Sequence, residues 1–298
     1  MLIKLGIPLV FIVLWSTGFI GAKFGLPSAE PFTFLSVRMA LNLVVLVMII
    51  PFFKVTWPTT RWGYLHLSVV GVLIHGVYLG GVFAGIHHGL PASIAAIIVG
   101  LQPLITALFA TIWLSESFSK LKGLGLVVGF VGIFLVVGEQ GAVDAHFNFV
   151  GVSFCIASLF GISIGTIYQK KFCVSFDLLP GVFIQYAANC VFMTALALTL
   201  ETGVIDWNLQ FVLTLGWLVV VLSIGAVLLL MWLIRQGESG GVASLFYLVP
   251  PMVALETWLL FDETFGLTAL VGMFLCMAGV AMVLKSPTKE DTTGNQTV

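Results

Sequence analysis

Leu101-Gln102-Pro103-Leu104-Ile105-Thr106-Ala107 and Leu248-Val249-Pro250-Pro251-Met252-Val253-Ala254 carry leucine, proline and alanine at the same three places, 147 residues apart (248 − 101 = 147). Moving outward, the same gap-free shift pairs Ser16 with Ser163, Gly18 with Gly165, Lys23 with Lys170, Glu30 with Asp177, Asn42 with Asn189 and Ala96 with Ala243. Beyond the prolines it pairs Glu116 with Glu263, Phe118 with Phe265, Gly125 with Gly272 and Gly132 with Gly279. One offset that holds from end to end of a unit marks an internal duplication.

The duplicated unit is too apolar to live in water. Charged residues make up 8% of the 298-residue chain, against about 25% in soluble domains. Hydrophobic residues reach 60% and phenylalanine occurs 25 times, so the few ionisable side chains cannot coat a globule. Twelve Lys and Arg and a net charge of −1 exclude a nucleic-acid binder, which needs a dense basic surface to neutralise phosphates. Cys155, Cys173, Cys190 and Cys276 are dispersed in or beside apolar stretches. That spacing gives neither a disulfide framework nor a zinc site, and they are expected to pack as small apolar residues.

A bilayer core needs roughly 20 apolar residues per helix. Ten such runs lie near 5–24, 31–53, 63–86, 92–114, 121–138, 149–169, 178–200, 211–234, 241–261 and 265–284. The predicted fold is therefore all-α and polytopic, ten transmembrane helices in two five-helix repeats over 1–138 and 149–285, with 286–298 a disordered cytoplasmic tail. The first run lacks an A-x-A-like cleavage site and is expected to remain as a span. Placing the amino terminus in the cytoplasm puts Lys4, Lys54, Arg61, Lys120, Lys122, Lys170, Lys171, Arg235, Lys285 and Lys289 inside and only Lys23 outside. Positive charge is retained on the cytoplasmic side, so both termini are expected there.

An odd number of spans per unit inverts the second copy. Inverted halves make two oppositely open states near mirror images of each other, which is the architecture of alternating access with substrate bound near the midplane. The residues also carry a resemblance. Trp15-Ser16-Thr17-Gly18-Phe19 with Lys23, Arg38, Pro91-Ala92-Ser93, Pro103 and Glu116 in the first half resemble the drug/metabolite transporter superfamily and, within it, the EamA-like ten-helix carriers. Gly240, Ala243, Pro250, Glu263, Gly272 and Gly279 answer in the second half. The family's Leu-Gly-Glu element is Leu114-Ser115-Glu116 here and Phe261-Asp262-Glu263 in the second copy. The resemblance implies an exporter of small metabolites such as amino acids in a bacterial inner membrane, with relatives that carry nucleotide sugars or drugs.

A charge at bilayer depth costs at least about 2.5–3.5 kcal/mol, so it normally faces a cavity or a partner. Arg38 lies two turns into span two with Asn42 on the same face, and the repeat puts Gln185 and Asn189 at the equivalent places of span seven. These two polar pairs are candidates for one central cavity, with Arg38 holding a carboxylate or phosphate through its planar fork; the alternative is helix–helix glue. Glu256 is the one carboxylate placed well inside a span; it is a candidate to pair with Arg38 and serve as a proton-coupling group, the alternative being a helix-end carboxylate that reaches interfacial water. His75, with Tyr78 one turn on, is a second coupling candidate. Trp15, Ser16, Phe19, Trp232 and Tyr247 complete the candidate substrate walls, and Pro103, Pro250 and Pro251 are candidate hinges. Glu116 and Glu263 are read as caps of the following helices or as gate contacts, and His87-His88 as solvated loop.

The rival class is an intramembrane enzyme. Gly161-Ile162-Ser163-Ile164-Gly165 spells G-x-S-x-G, but that motif requires a strand-to-helix elbow, and here it falls inside an apolar helix. An uptake carrier or a channel for a different small solute shares the spans, and a channel differs by non-saturable flux. The expected partners are a small-molecule substrate and the lipid bilayer, with proton coupling a candidate, and with no metal, cofactor or nucleic acid.

Overall fold

A computed structural model describes residues 2–113, 119–143, 149–226, 229 and 246–285. The described chain is helical, and its one β-bridge joins Ala29 to Ile205. Helix α1 spans Leu2–Gly25 and α2 spans Pro31–Ile49, opened by Pro31 where no backbone donor is needed. The third span runs as α3 (Arg61–Val70), a π-helical segment (Gly71–Tyr78) and α4 (Leu79–His87). Thr60 caps α3 by accepting from the Gly63 N–H at 3.2 Å. Next come α5 (Ala92–Gly100), α6 (Gln102–Trp113), α7 (Lys120–Val143), α8 (Phe149–Phe172) and α9 (Leu178–Leu200). Then α10 (Leu209–Gly216) continues as a second π-helical segment (Trp217–Ala226), followed by α11 (Val249–Phe261) and α12 (Leu267–Lys285). Among the described residues nine helices are long and apolar enough to cross a membrane, and α11 is a shorter apolar helix. Large apolar side chains such as Val127, Phe134, Leu198 and Phe274 stand exposed on the perimeter, where a bilayer is their natural solvent.

Packing repeats the sequence's two-fold relation. Spans five and ten, α7 and α12, cross where an added Cβ on Gly279 would lie 2.5 Å from the Gly125 carbonyl oxygen, and one on Gly132 would lie 2.6 Å from that of Gly272. The two contacts exchange under the 147-residue shift (125 + 147 = 272; 132 + 147 = 279). On the axis, the Cys276 thiol contacts the carbonyl of Gly129, its own repeat mate, at 3.6 Å. Backbones this close exclude any side chain, which is the use of small residues at membrane helix crossings. The π-helical segments also fall at matched places (217 − 147 = 70; 226 − 147 = 79), and such segments commonly mark functional sites.

Helix breaks lie at the prolines proposed as hinges. Span four breaks at Leu101, with Pro103 in the first turn of α6, and α11 begins with Pro250 and Pro251 in its first turn after a 3-10 turn at Phe246–Leu248. The two breaks meet: an added Cβ at Gly100 would lie 2.7 Å from Pro250 Cγ. Residues 144–148, the Leu114-Ser115-Glu116 element, Gly240, Ala243 and the tail 286–298 lie outside the described residues.

Candidate functional site

A cavity of about 150 Å³ lies between the two repeats. The first half supplies Trp15, Gly18 and Phe19 from α1, Arg38 and Met39 from α2, Ile74, His75 and Tyr78 from the first π segment, and Leu79, Val82 and Phe83 from α4. The second half supplies Ile162 from α8, Tyr186 from α9, and Leu222 and Ser223 from the second π segment. Three wall pairs are repeat mates: Trp15 with Ile162, Met39 with Tyr186, and His75 with Leu222. A smaller chamber of about 50 Å³ adjoins it, sharing Trp15, Phe19, Tyr78 and Ile162 and reaching both Pro103 and Pro250.

Arg38 dominates the chemistry of this cavity. It is 4% exposed, and its Nη2 donates long bonds to the Leu218 carbonyl (3.4 Å) and the Ser223 hydroxyl (3.3 Å). Its Nε has no partner within the protein. The Leu218 carbonyl also accepts from Ser223 at 2.9 Å, a bond spanning five residues that belongs to the π turn. The widened turn thus presents a carbonyl and a hydroxyl to the guanidinium. Opposite, His75 Nε2 lies 3.3 Å from Gln185 Oε1 and its ring meets Tyr186 edge-on at 4.8 Å.

The expected Arg38–Glu256 ion pair is absent. Glu256 instead accepts from the Ser16 hydroxyl at 2.6 Å, leaving Oε2 without a partner, and it lines neither chamber. Span nine packs on α1 rather than on α2, so its carboxylate meets Ser16. The three amide positions also separate. Asn42 lines a second chamber of about 430 Å³, which shares Tyr186 and Ser223 with the central cavity and extends to Lys54 and Asp177. Gln185 reaches a third chamber of about 380 Å³ beside Lys170 and Asp177. Asn189 is fully buried near Gly76 with both amide atoms unpartnered. Trp232 and the Tyr247 side chain lie outside the described residues. Ser163 sits mid-helix in α8, donating to the Gln102 carbonyl at 3.5 Å, with no strand or elbow beside it.

Polar contacts join the helix ends at the face that carries Lys23. Glu263 accepts from Lys23 in the one ion pair among the described residues, and from the Ser93 hydroxyl at 2.7 Å. Glu263 is therefore a contact between helices rather than a cap; Glu139 accepts from the Ala269 N–H at the start of α12. Glu201 accepts from the Phe32 and Thr33 N–H groups and the Thr33 hydroxyl, each at 2.7 Å. The Thr202 hydroxyl and N–H both donate to Glu30 and hold its carboxyl below the usual carboxylate range. Asn208 donates to Ser28 at 2.8 Å. By contrast, the chambers at Asn42 and Gln185 lie beside Lys54 and Lys170.

Sequence inspection missed Tyr186 and Ser223. Tyr186 follows Gln185 and is the repeat mate of Met39, beside Arg38; Ser223 is the lone hydroxyl of the run 218–230. Among the described residues no group of three metal-ligating side chains forms.

Fold and cavity together define a polytopic helical membrane protein whose inverted halves enclose a solute-sized chamber. The chain belongs to the EamA-like transporter family, whose family model matches residues 4–138 and again 149–285. It is 25% identical over 91% of its length to the Bacillus subtilis transporter YvbV, covering 88% of that chain. It is 24% identical to an Escherichia coli protein named a probable amino-acid metabolite efflux pump, over 91% of both chains. It is also 24% identical to the Escherichia coli inner membrane transporter YedA, over 82% of this chain and 78% of that one. A solved crystal structure matches with a TM-score of 0.63 at 17% identity, over 93% of this chain and 94% of that one, and shares the fold.

Proposed function

We propose that this chain is a secondary carrier that exports small polar metabolites, amino acids and their acidic relatives among them, by alternating access around Arg38. The observation that carries the assignment is a buried arginine in a chamber walled by both repeats, with no carboxylate among the described residues to pair it. A charge kept at that depth normally serves a solute or a partner. Export and the inner membrane are supported by the efflux-pump name of one relative and the inner-membrane name of another.

The described conformation fits one end of the cycle. With both termini cytoplasmic, as the lysine count favours, Lys23, Ser93 and Glu263 close the outer face, while the chambers at Asn42 and Gln185 reach towards the cytoplasm. Matched breaks at Pro103 and Pro250 let spans four and nine bend as the halves exchange roles. The test is counterflow in proteoliposomes. Saturable, competable exchange of a solute found enriched outside expressing cells supports a carrier; linear, non-competable flux indicates a pore.

A further inference from the structure

Resting on that carrier assignment, the charge balance of the cavity narrows the substrate class. Arg38 is the fixed positive charge; His75, Tyr78, Tyr186 and Ser223 carry no fixed charge; and among the described residues no carboxylate lines the chamber. Among the acids of the described residues, Glu256 alone is placed well inside a span, and it is turned to Ser16, outside both chambers of the centre. An incoming carboxylate therefore finds a guanidinium whose Nε has no protein partner and whose Nη2 bonds are long. Exchanging those for the short paired bonds of an arginine–carboxylate fork is a net gain.

An ammonium group finds nothing equivalent. Next to the carboxylate of an α-amino acid it would stand close to Arg38, with like-charge repulsion and no anion to answer it. Net charge counts the same way. A monoanion cancels the charge of Arg38 in a low-dielectric chamber, whereas a zwitterion leaves it uncompensated. The remaining wall is aromatic and aliphatic, from Trp15, Phe19 and Phe83, and a cavity of about 150 Å³ is the size that accommodates a benzene ring in a protein interior.

We propose that the central cavity selects organic monoanions, a carboxylate on a small branched or aromatic body, over the zwitterionic amino acids of the same skeleton. The experiment is counterflow in proteoliposomes with 4-methyl-2-oxopentanoate, 4-methylpentanoate and leucine, which share a branched carbon skeleton and differ in charge. Both acids are expected to exchange at least tenfold more efficiently than leucine, and Arg38→Gln to remove that exchange while thermal unfolding and chromatographic behaviour stay those of the wild type. Leucine exchange equal to or faster than that of the acids overturns the proposal and leaves the carrier standing. Acid exchange that persists in Arg38→Gln overturns it too. If none of the three exchanges, the proposed class is wrong; the carrier assignment falls with it only if metabolite profiling of expressing cells is also blank.

Discussion

Glu263→Gln removes the charge from the cluster that ties α1, α5 and α11 together at the Lys23 face. Wild-type Glu263 accepts from both Lys23 and Ser93, with the two charged side chains 29% and 13% exposed. Charge-assisted bonds contribute about 1.5–3 kcal/mol when buried, and exposed ion pairs about 0.2–1 kcal/mol. This half-buried pair falls between, and glutamine keeps an acceptor for Ser93, so the loss is about 1–2 kcal/mol, or about five- to thirtyfold in the population open at that face. The assay is a single cysteine at Phe19, in a chain cleared of its four native cysteines, labelled by an impermeant thiol reagent from outside. The labelling rate should rise by that factor in Glu263→Gln. The charge-swapped pair, Lys23→Glu with Glu263→Lys, should bring it back towards the wild-type rate. Because Glu116 and Lys170 are the repeat mates of Glu263 and Lys23, Glu116→Gln should slow labelling instead. An unchanged rate in Glu263→Gln, or a rise the swap leaves in place, would refute this account of closure.

Other outcomes follow from the same geometry. Arg38→Lys keeps the charge but loses the planar fork, so transport efficiency should drop at least tenfold in counterflow while membrane levels stay equal. Glu256→Gln should flatten the pH dependence of transport, and an unchanged profile removes Glu256 as a coupling group. Gly279→Ala drives a methyl into the Gly125 carbonyl and the Gly129 backbone and should cost about 1–3 kcal/mol, the overpacking range, read as a lower melting temperature in detergent. Gly138→Ala has open space around the new methyl and should leave that temperature unchanged or raised.

The duplication, the spans and the breaks at Pro103 and Pro250 were legible because each follows from covalent order: apolar length, a fixed shift, a missing N–H. The glycine crossing of α7 and α12 was half legible. The 147-residue shift pairs Gly125 with Gly272, yet only packing shows that Gly125 touches Gly279 instead. Arg38, Trp15, Phe19, His75 and Tyr78 were candidates because polar and aromatic groups at bilayer depth stand out in an apolar run, and the structure gathers all five around one cavity. Partner choice was not legible. Nothing in the order of residues says that Glu256 meets Ser16 rather than Arg38, which depends on α11 lying against α1. The π-helical turns that aim Leu218 and Ser223 at Arg38 leave no mark in composition, so Ser223 passed as one hydroxyl in a hydrophobic span.

The most direct measurement compares extracellular metabolites of cells carrying the wild type, Arg38→Ala or an empty vector, with both proteins at equal membrane levels. A carrier centred on Arg38 predicts a metabolite enriched outside with the wild type alone. Equal enrichment by Arg38→Ala would contradict the placement of transport at this cavity.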